Sequence, residues 1–483
     1  MSRTPNRFAQ LIALAGLSLG LQTSVLAHSV DEELLKVLLG NGAINQQQHD
    51  SLLSQLDHDD ADAPAPVSAP ASAAIPVEVL DQKIALEVAE QVEAATPVKA
   101  SHGSKGFRLE TADGNWQTNL QWRGQFRYTN PSSGDPRQLS AFNDDSQSTF
   151  EARRLRMKIG GHGFQPWLKY YFEVDLQPSR DTDDGSSSSS ARVIDWRADI
   201  AKWDWGGIRL GQWKIDYNRE RVDSSGRQQF VERSIVNRVF TVDRQVGVQL
   251  RGHAFKNTAA DLRWYLGAFT GEGRGVRGTD DNLMYIGRLQ WNMLGRDVAL
   301  RQTDVEYTEL PSASLGFAAA TTQGSCTRWS SSGCGNLDGF ARAGDATADQ
   351  FKIEQAAQDF AFKWRGWSIQ QELHHKEVTD RLAGVTSRLT GGYLQSGYFF
   401  HNMFPSFPEP LELALRYAYV EEPNATDLNF DNERTELTLA ANWFFAGHNN
   451  KITFDISRLT LDDDFFGRNE SENRARLQWD VSF

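Results

Sequence analysis

The stretch NRARLQWDVSF at positions 473–483 constrains the fold more than any other part of the chain. Ala475, Leu477, Trp479, Val481 and Phe483 fall on one side of an extended backbone, and Arg474, Arg476, Gln478, Asp480 and Ser482 on the other. Strand side chains alternate with period two, so one face is apolar and aromatic and its reverse is polar. A polar interior behind a lipid-facing shell is the pattern of a transmembrane β-barrel. Soluble sheets also alternate, so the pattern has to recur along the chain to decide the matter.

It does recur. Strand-length segments begin near Trp116, Ser148, Trp167, Arg192, Gly207, Arg244, Asp261, Asn282, Ser312, Ile353, Trp367, Gly392, Leu411, Glu433, Lys451 and Asn473. Leu411, Leu413, Leu415, Tyr417 and Tyr419 make one outward face, and Leu437, Leu439, Ala441, Trp443 and Phe445 another. Short turns such as 446–450 alternate with long Gly/Ser/Asp-rich loops such as 178–191, as periplasmic and external connections do. The expected fold is all-β, a 16-stranded antiparallel transmembrane β-barrel over 101–483, with an even strand number as in single-chain bacterial barrels. A water-soluble β-sandwich is the alternative; the strand count and the absence of a domain break after 116 stand against it.

Ahead of the barrel the sequence changes character. Arg3 and Arg7, the apolar run from Leu11 to Leu21 and the small-residue end at Ala27 read as a signal peptide over 1–27. No later stretch reaches the length of a spanning helix, so membrane residence must come from strands. Residues 28–100 read as a short helical periplasmic extension. Asp31 to Leu56 is expected to form two short helices, 61–76 an Ala/Pro linker, and Val77 to Ala95 a further helix, either a short trimeric coiled coil or a loose helix. This extension carries thirteen acidic and three basic side chains, which accounts for most of the net charge of −13. Between 151 and 251 the balance reverses, with eighteen basic against fourteen acidic residues. Overall acidity therefore says little about the ligand, and no nucleic-acid partner is expected.

Cys326 and Cys334 sit in QGSCTRWSSSGCG (323–335). In an exported chain such a pair is expected to form a loop-pinning disulfide; metal binding is the weaker reading, since no His or further Cys lies near.

The phase set by the apolar faces assigns the lumen. Arg123 and Arg127 lie opposite Trp122, Phe126 and Tyr128; Arg154, Arg156 and Lys158 lie opposite Leu155, Met157 and Ile159. Closing the barrel sets the last strand beside the first, so Arg474 and Arg476 join the same wall. The connection from Lys214 to Asp243 adds Arg219, Arg221, Arg227, Arg233 and Arg238, interleaved with Phe230, Val231, Ile235 and Val236. It is apolar enough to pack, and folding into the lumen is expected. Rings of Arg and Lys make anion or phosphate pores, and the Arg fork suits tetrahedral oxyanions.

At this point the chain resembles a family. TFEARRLRMKIGG (149–161), IRLGQWKI (208–215), ERS (232–234) and DRQVGVQL (243–250) look like successive landmarks of the phosphate-selective porins O and P, and the aromatic end at Phe483 resembles the closing strand of bacterial outer-membrane proteins. The resemblance implies a homotrimeric porin in outer-membrane lipid, an arginine-rich third loop narrowing the pore, and uptake of phosphate or polyphosphate. Asp216, Tyr217 and Asn218 depart from the Pro-Phe-type sequence expected there, which bears on substrate choice.

Other classes remain to be weighed. Asp216, Glu220, Asp223, Glu232 and Asp243 could neutralise the loop arginines and leave a general, weakly selective porin. A structural outer-membrane anchor would tolerate a plugged lumen. Catalysis is not expected: neighbouring His374 and His375 face opposite sides of a strand, and no nucleophile, metal or cofactor constellation stands out.

Overall fold

The computed structural model describes residues 98–131, 148–176, 191–276, 281–331 and 333–483, with isolated positions between 35 and 53 and at 137, 139, 142 and 278. The chain divides into two compact units, Met1–Val88 and Ala89–Phe483. In the first, the described positions 35–36, 39, 46–47, 49–51 and 53 are helical, and Gln46 donates to Asp50 one turn on at 3.0 Å. The signal peptide, the Ala/Pro linker, the helix at 77–95 and nearly all of the loop at 178–191 lie outside the described residues.

The second unit opens with a hairpin, β1 (Val98–Gly103) and β2 (Gly106–Thr111), ahead of the strands expected from the sequence. Sixteen long strands follow. They are β3 (Gln117–Asn130), β4 (Thr149–Gly163), β5 (Gln165–Asp175), β6 (Arg192–Trp203), β7 (Gly206–Lys214), β8 (Arg244–Ala254), β9 (Leu262–Phe269), β10 (Met284–Asn292) and β11 (Ser312–Gly324). After a small hairpin, β12 (Arg328–Ser330) and β13 (Gly333–Gly335), the wall resumes with β14 (Phe351–Trp364), β15 (Trp367–Asp380), β16 (Val385–Tyr398), β17 (Leu411–Pro423), β18 (Asp431–Phe444), β19 (Asn450–Asp463) and β20 (Arg468–Ser482). Each long strand pairs antiparallel with the next, and β20 closes on β3 from Ala475↔Asn130 to Ser482↔Arg123. The closed sixteen-stranded antiparallel barrel leaves no free edge around the wall. The strand placed near Gly392 begins seven residues earlier, at Val385, because Thr386, Ser387 and Arg388 are polar on both faces and hide the alternation.

The seam is shared. β3 pairs with β20 along its upper half and with β2 below it, from Phe107↔Leu120 to Glu110↔Gln117. Phe483 donates to the Trp122 carbonyl and accepts from the Trp122 amide at 3.1 and 2.7 Å, just where β20 gives way to the hairpin. Outward side chains are mostly apolar, and aromatic residues gather at the short-turn end, where Trp203, Trp205 and Trp264 stack with centroids 5.8 and 6.2 Å apart. Such belts mark the membrane interface, and short turns mark the periplasmic side.

The inward faces are not uniformly polar. Ile353, Ala357, Val378, Leu389, Ala418, Val420 and Leu459 are buried inside the barrel and belong to a core that includes the third loop. That core decides where the open lumen lies.

Candidate functional site

Residues 215–243 leave β7 and return to β8 beside their own start, with the Ile215 amide bonded to the Asp243 carbonyl at 2.9 Å. The loop folds into the lumen and carries two helical turns, α1 (Arg219–Val222) and α2 (Ile235–Phe240). Ile235, Val236, Val239 and Phe240 pack against the apolar inner faces of β14–β17. Burying such side chains contributes roughly 1.5–3 kcal/mol each, enough to hold a loop that would otherwise be solvated. Polar groups complete the seat. The Val231 amide donates to Asp455 at 2.9 Å, the Ile235 amide to Glu436 at 3.0 Å and the Glu220 amide to Glu372 at 2.5 Å. Gln229 donates from its side chain to Glu412 at 2.8 Å. Wall carboxylates are thereby taken up by the loop.

A second segment meets it from the periplasmic side. The connection 293–311 between β10 and β11 accepts Arg219 on the Val298 and Ala299 carbonyls at 3.1 and 2.6 Å. Its Gln302 amide donates to the Arg227 carbonyl at 3.0 Å, and its Thr303 carbonyl accepts Lys363 at 2.5 Å. Loop and connection together fill the lumen beside β10, β11 and β14–β18, and the loop also reaches β3, β4 and β19 through Ser225, Val231 and Glu232.

A polar, open cavity of about 460 Å³ runs along the β3–β8 wall. Nine cations line it: Lys105, Arg123, Arg156, Lys158, Arg197, Arg209, Lys214, Arg227 and Arg251; the carboxylates there are Glu173, Asp195 and Asp216. Several cations are paired: Arg123 with Asp480 at 3.1 Å, Arg156 with Glu173 at 2.8 Å, Arg209 with Asp199 at 2.5 Å and Arg251 with Asp216 at 3.5 Å. Lys158 donates only to the Gln121 amide oxygen, at 3.3 Å, and Lys214 to the Asp223 carbonyl, at 3.1 Å. Lys105, Lys158, Lys214 and Arg227 have no carboxylate within 4 Å among the described residues, although Glu173 acts electrostatically on Lys158 and Lys214, and Asp223 on Arg227.

Of the cations named from the sequence, Arg123, Arg156, Lys158 and Arg227 line this cavity. Arg127 and Arg154 instead hold the loop: Arg127 bonds Glu232 at 2.7 Å and Gln478 at 2.7 Å, and Arg154 lies 3.6 Å from Glu232 and bonds Gln125 at 2.8 Å. Burial alone would raise the Glu232 carboxyl, but Arg127, Arg154 and Arg153 hold it well below the ordinary carboxylate range. Arg221 pairs with Asp243, and Arg233 donates to the Glu220 and Asp223 carbonyls at 2.8 and 2.7 Å. Arg219 is spent on the lower connection, as above. Arg476 forks onto Asp455 at 2.7 and 2.8 Å; Arg474, on the same inner face of β20, and Arg238, on α2, are also engaged. Cys326 and Cys334 are disulfide-bonded, with Cα atoms 5.7 Å apart, and close the β12–β13 hairpin over the loop.

Sequence reasoning missed Arg153. Strict alternation sends it to the lipid face, but a bulge opposite Gln125 and Phe126 turns it inward, 3.1 Å from Glu232. Arg197, Arg209 and Arg251 were legible in principle, since each lies in phase with inward neighbours on its strand. Lys105 gave no signal, because its hairpin was not recognised.

Three solved structures are similar to this chain. They are a loop-deleted OmpT of Vibrio cholerae (11% identity, TM-score 0.48), an anion-selective porin from Comamonas acidovorans (12%, 0.46) and the channel DcaP of Acinetobacter baumannii (11%, 0.46). Each alignment covers 76% of this chain, and 99, 99 and 97% of the respective structure. No curated protein sequence matches it. The family model described as phosphate-selective porin O and P matches residues 126–480, from β3 to β20, and the chain belongs to that family of outer-membrane porins.

Proposed function

We propose that the pore passes anions by passive diffusion, prefers phosphate-type oxyanions, and works as a homotrimer. The observation that carries this reading is the set Lys105, Lys158, Lys214 and Arg227, which face the cavity without a carboxylate in ion-pair contact. Glu173, the acid that acts on Lys158 and Lys214, is itself paired with Arg156, while Glu412, Glu436 and Asp455 hold the inward loop and Glu232 is shared by three arginines. Fixed cations replace part of an anion's hydration, and an Arg fork can donate two hydrogen bonds to one oxyanion. The paired arginines, their charge already half-satisfied, make sites weak enough for release, which a conducting pore requires. In this reading residues 1–27 are removed on export and the extension to about residue 97 stands in the periplasm.

Glu173, Asp195 and Asp216 share the cavity and favour the second reading, a general porin with a transverse field. Reversal potential in a planar bilayer under a chloride gradient separates the two. Anion preference, with chloride current blocked by added phosphate, is the expected result; weak or cation preference without block establishes the general porin.

A further inference from the structure

The hairpin that precedes the barrel reaches the pore. Its turn, Ser104 and Lys105, lies at the short-turn rim of the barrel, where Gln121 of β3 and Asn449 of the β18–β19 turn both donate to the Ser104 carbonyl, at 3.3 and 3.4 Å. Gly106 has φ +82°, and a Cβ there would stand 2.1 Å from the Leu120 carbonyl oxygen. Only glycine lets the turn lie this close against β3. Below the turn, β2 continues the seam that β20 leaves unfinished. Lys105 thereby lines the same cavity as Arg123, Lys158 and Arg227 while belonging to no barrel strand.

We infer that this hairpin is part of the channel: it forms one side of the periplasmic rim and presents Lys105 as the cation met by an anion entering or leaving there. The inference rests on the anion reading for its sign, but not for its geometry. The gripped carbonyl and the close-packed glycine fix the turn against the barrel, so the lysine's station is built rather than incidental. Being outside every barrel strand, the residue sets charge at the exit without altering the wall.

The test uses the full chain carrying Lys105→Cys, since Cys326 and Cys334 are already bonded to each other. A sulfonatoethyl methanethiosulfonate added from the periplasmic face should lower chloride current at low salt by roughly twofold and shift the reversal potential away from anion preference. The trimethylammonium analogue should return both toward the unsubstituted values. In a channel that keeps Lys105, Gly106→Val should reproduce the loss by displacing the turn. Labelling confirmed by mass, with current and reversal potential unmoved by either reagent, overturns the inference. A cation-preferring wild type whose current still responds to the label would remove the anion reading and keep the hairpin in the pore.

Discussion

Lys158 and Lys214 face the cavity from β4 and β7 with only neutral oxygens as hydrogen-bond partners, and Glu173 acts electrostatically on both. Reversing either charge changes the local potential without breaking an ion pair. Lys158→Glu and Lys214→Glu should each reduce the anion-to-cation permeability ratio by roughly three- to tenfold, about 1 kcal/mol for a water-screened unit charge a few ångströms away. Reversal potentials measured on the two variants check this. Glu232 is the opposite case, one carboxylate held by Arg127, Arg153 and Arg154. Glu232→Gln should free those arginines and strengthen phosphate block of the chloride current. A carboxyl held well below its ordinary pKa stays charged until the pH falls through that lowered value, so the difference between wild type and Glu232→Gln should persist unchanged from pH 7 to pH 5. At this scale the sequence was half legible. Alternation sets which residues point inward, but it cannot tell an arginine that meets water from one that meets a carboxylate 21 or 357 residues away. Arg476 on Asp455 and Arg123 on Asp480 are pairs of that kind.

Among the elements, the inward loop was foreseeable from its apolar residues, whereas its seat was not. Ile353, Val378, Leu389 and Val420 make the inner wall apolar where a barrel lumen is ordinarily polar, and no local pattern distinguishes that from a strand buried on both faces. The β12–β13 hairpin and α2 are tied together by Lys376, which donates to the Val239 carbonyl at 3.0 Å and also to the Thr327 carbonyl. The disulfide spans eight residues, and closing so short a loop contributes about 2–3 kcal/mol in the chain-entropy model. A Cys326→Ser/Cys334→Ser variant should leave the barrel intact but make residues 325–350 more sensitive to protease in the folded protein, read as new cleavage bands with unaltered barrel migration.

For the whole molecule, the sixteen strands, their order and the closure of last on first were legible, because period-two alternation is imposed by the bilayer on every strand. The β1–β2 hairpin escaped because its strands are only six residues long, so that the alternation of Phe107 and Leu109 with Arg108 and Glu110 spans too few positions to stand out. If three copies assemble, channel insertions in a planar bilayer should appear as current steps in groups of three, and unheated samples should migrate as a species that heating converts to the single chain. Steps of one with no slower-migrating species would remove the trimer from the reading.

The apolar filling of part of the lumen has a consequence for the charges across from it. A core of Phe240, Ile353, Val378 and Leu389 has a far lower dielectric constant than the water it displaces. Field lines from Lys105, Lys158, Lys214 and Arg227 spread poorly into such a medium and concentrate in the aqueous cavity. On the proposed anion reading, each lysine or arginine on that wall should act on a passing ion more strongly than in a fully hydrated barrel of the same strand number, so a small excess of cations over carboxylates should set the sign of the current.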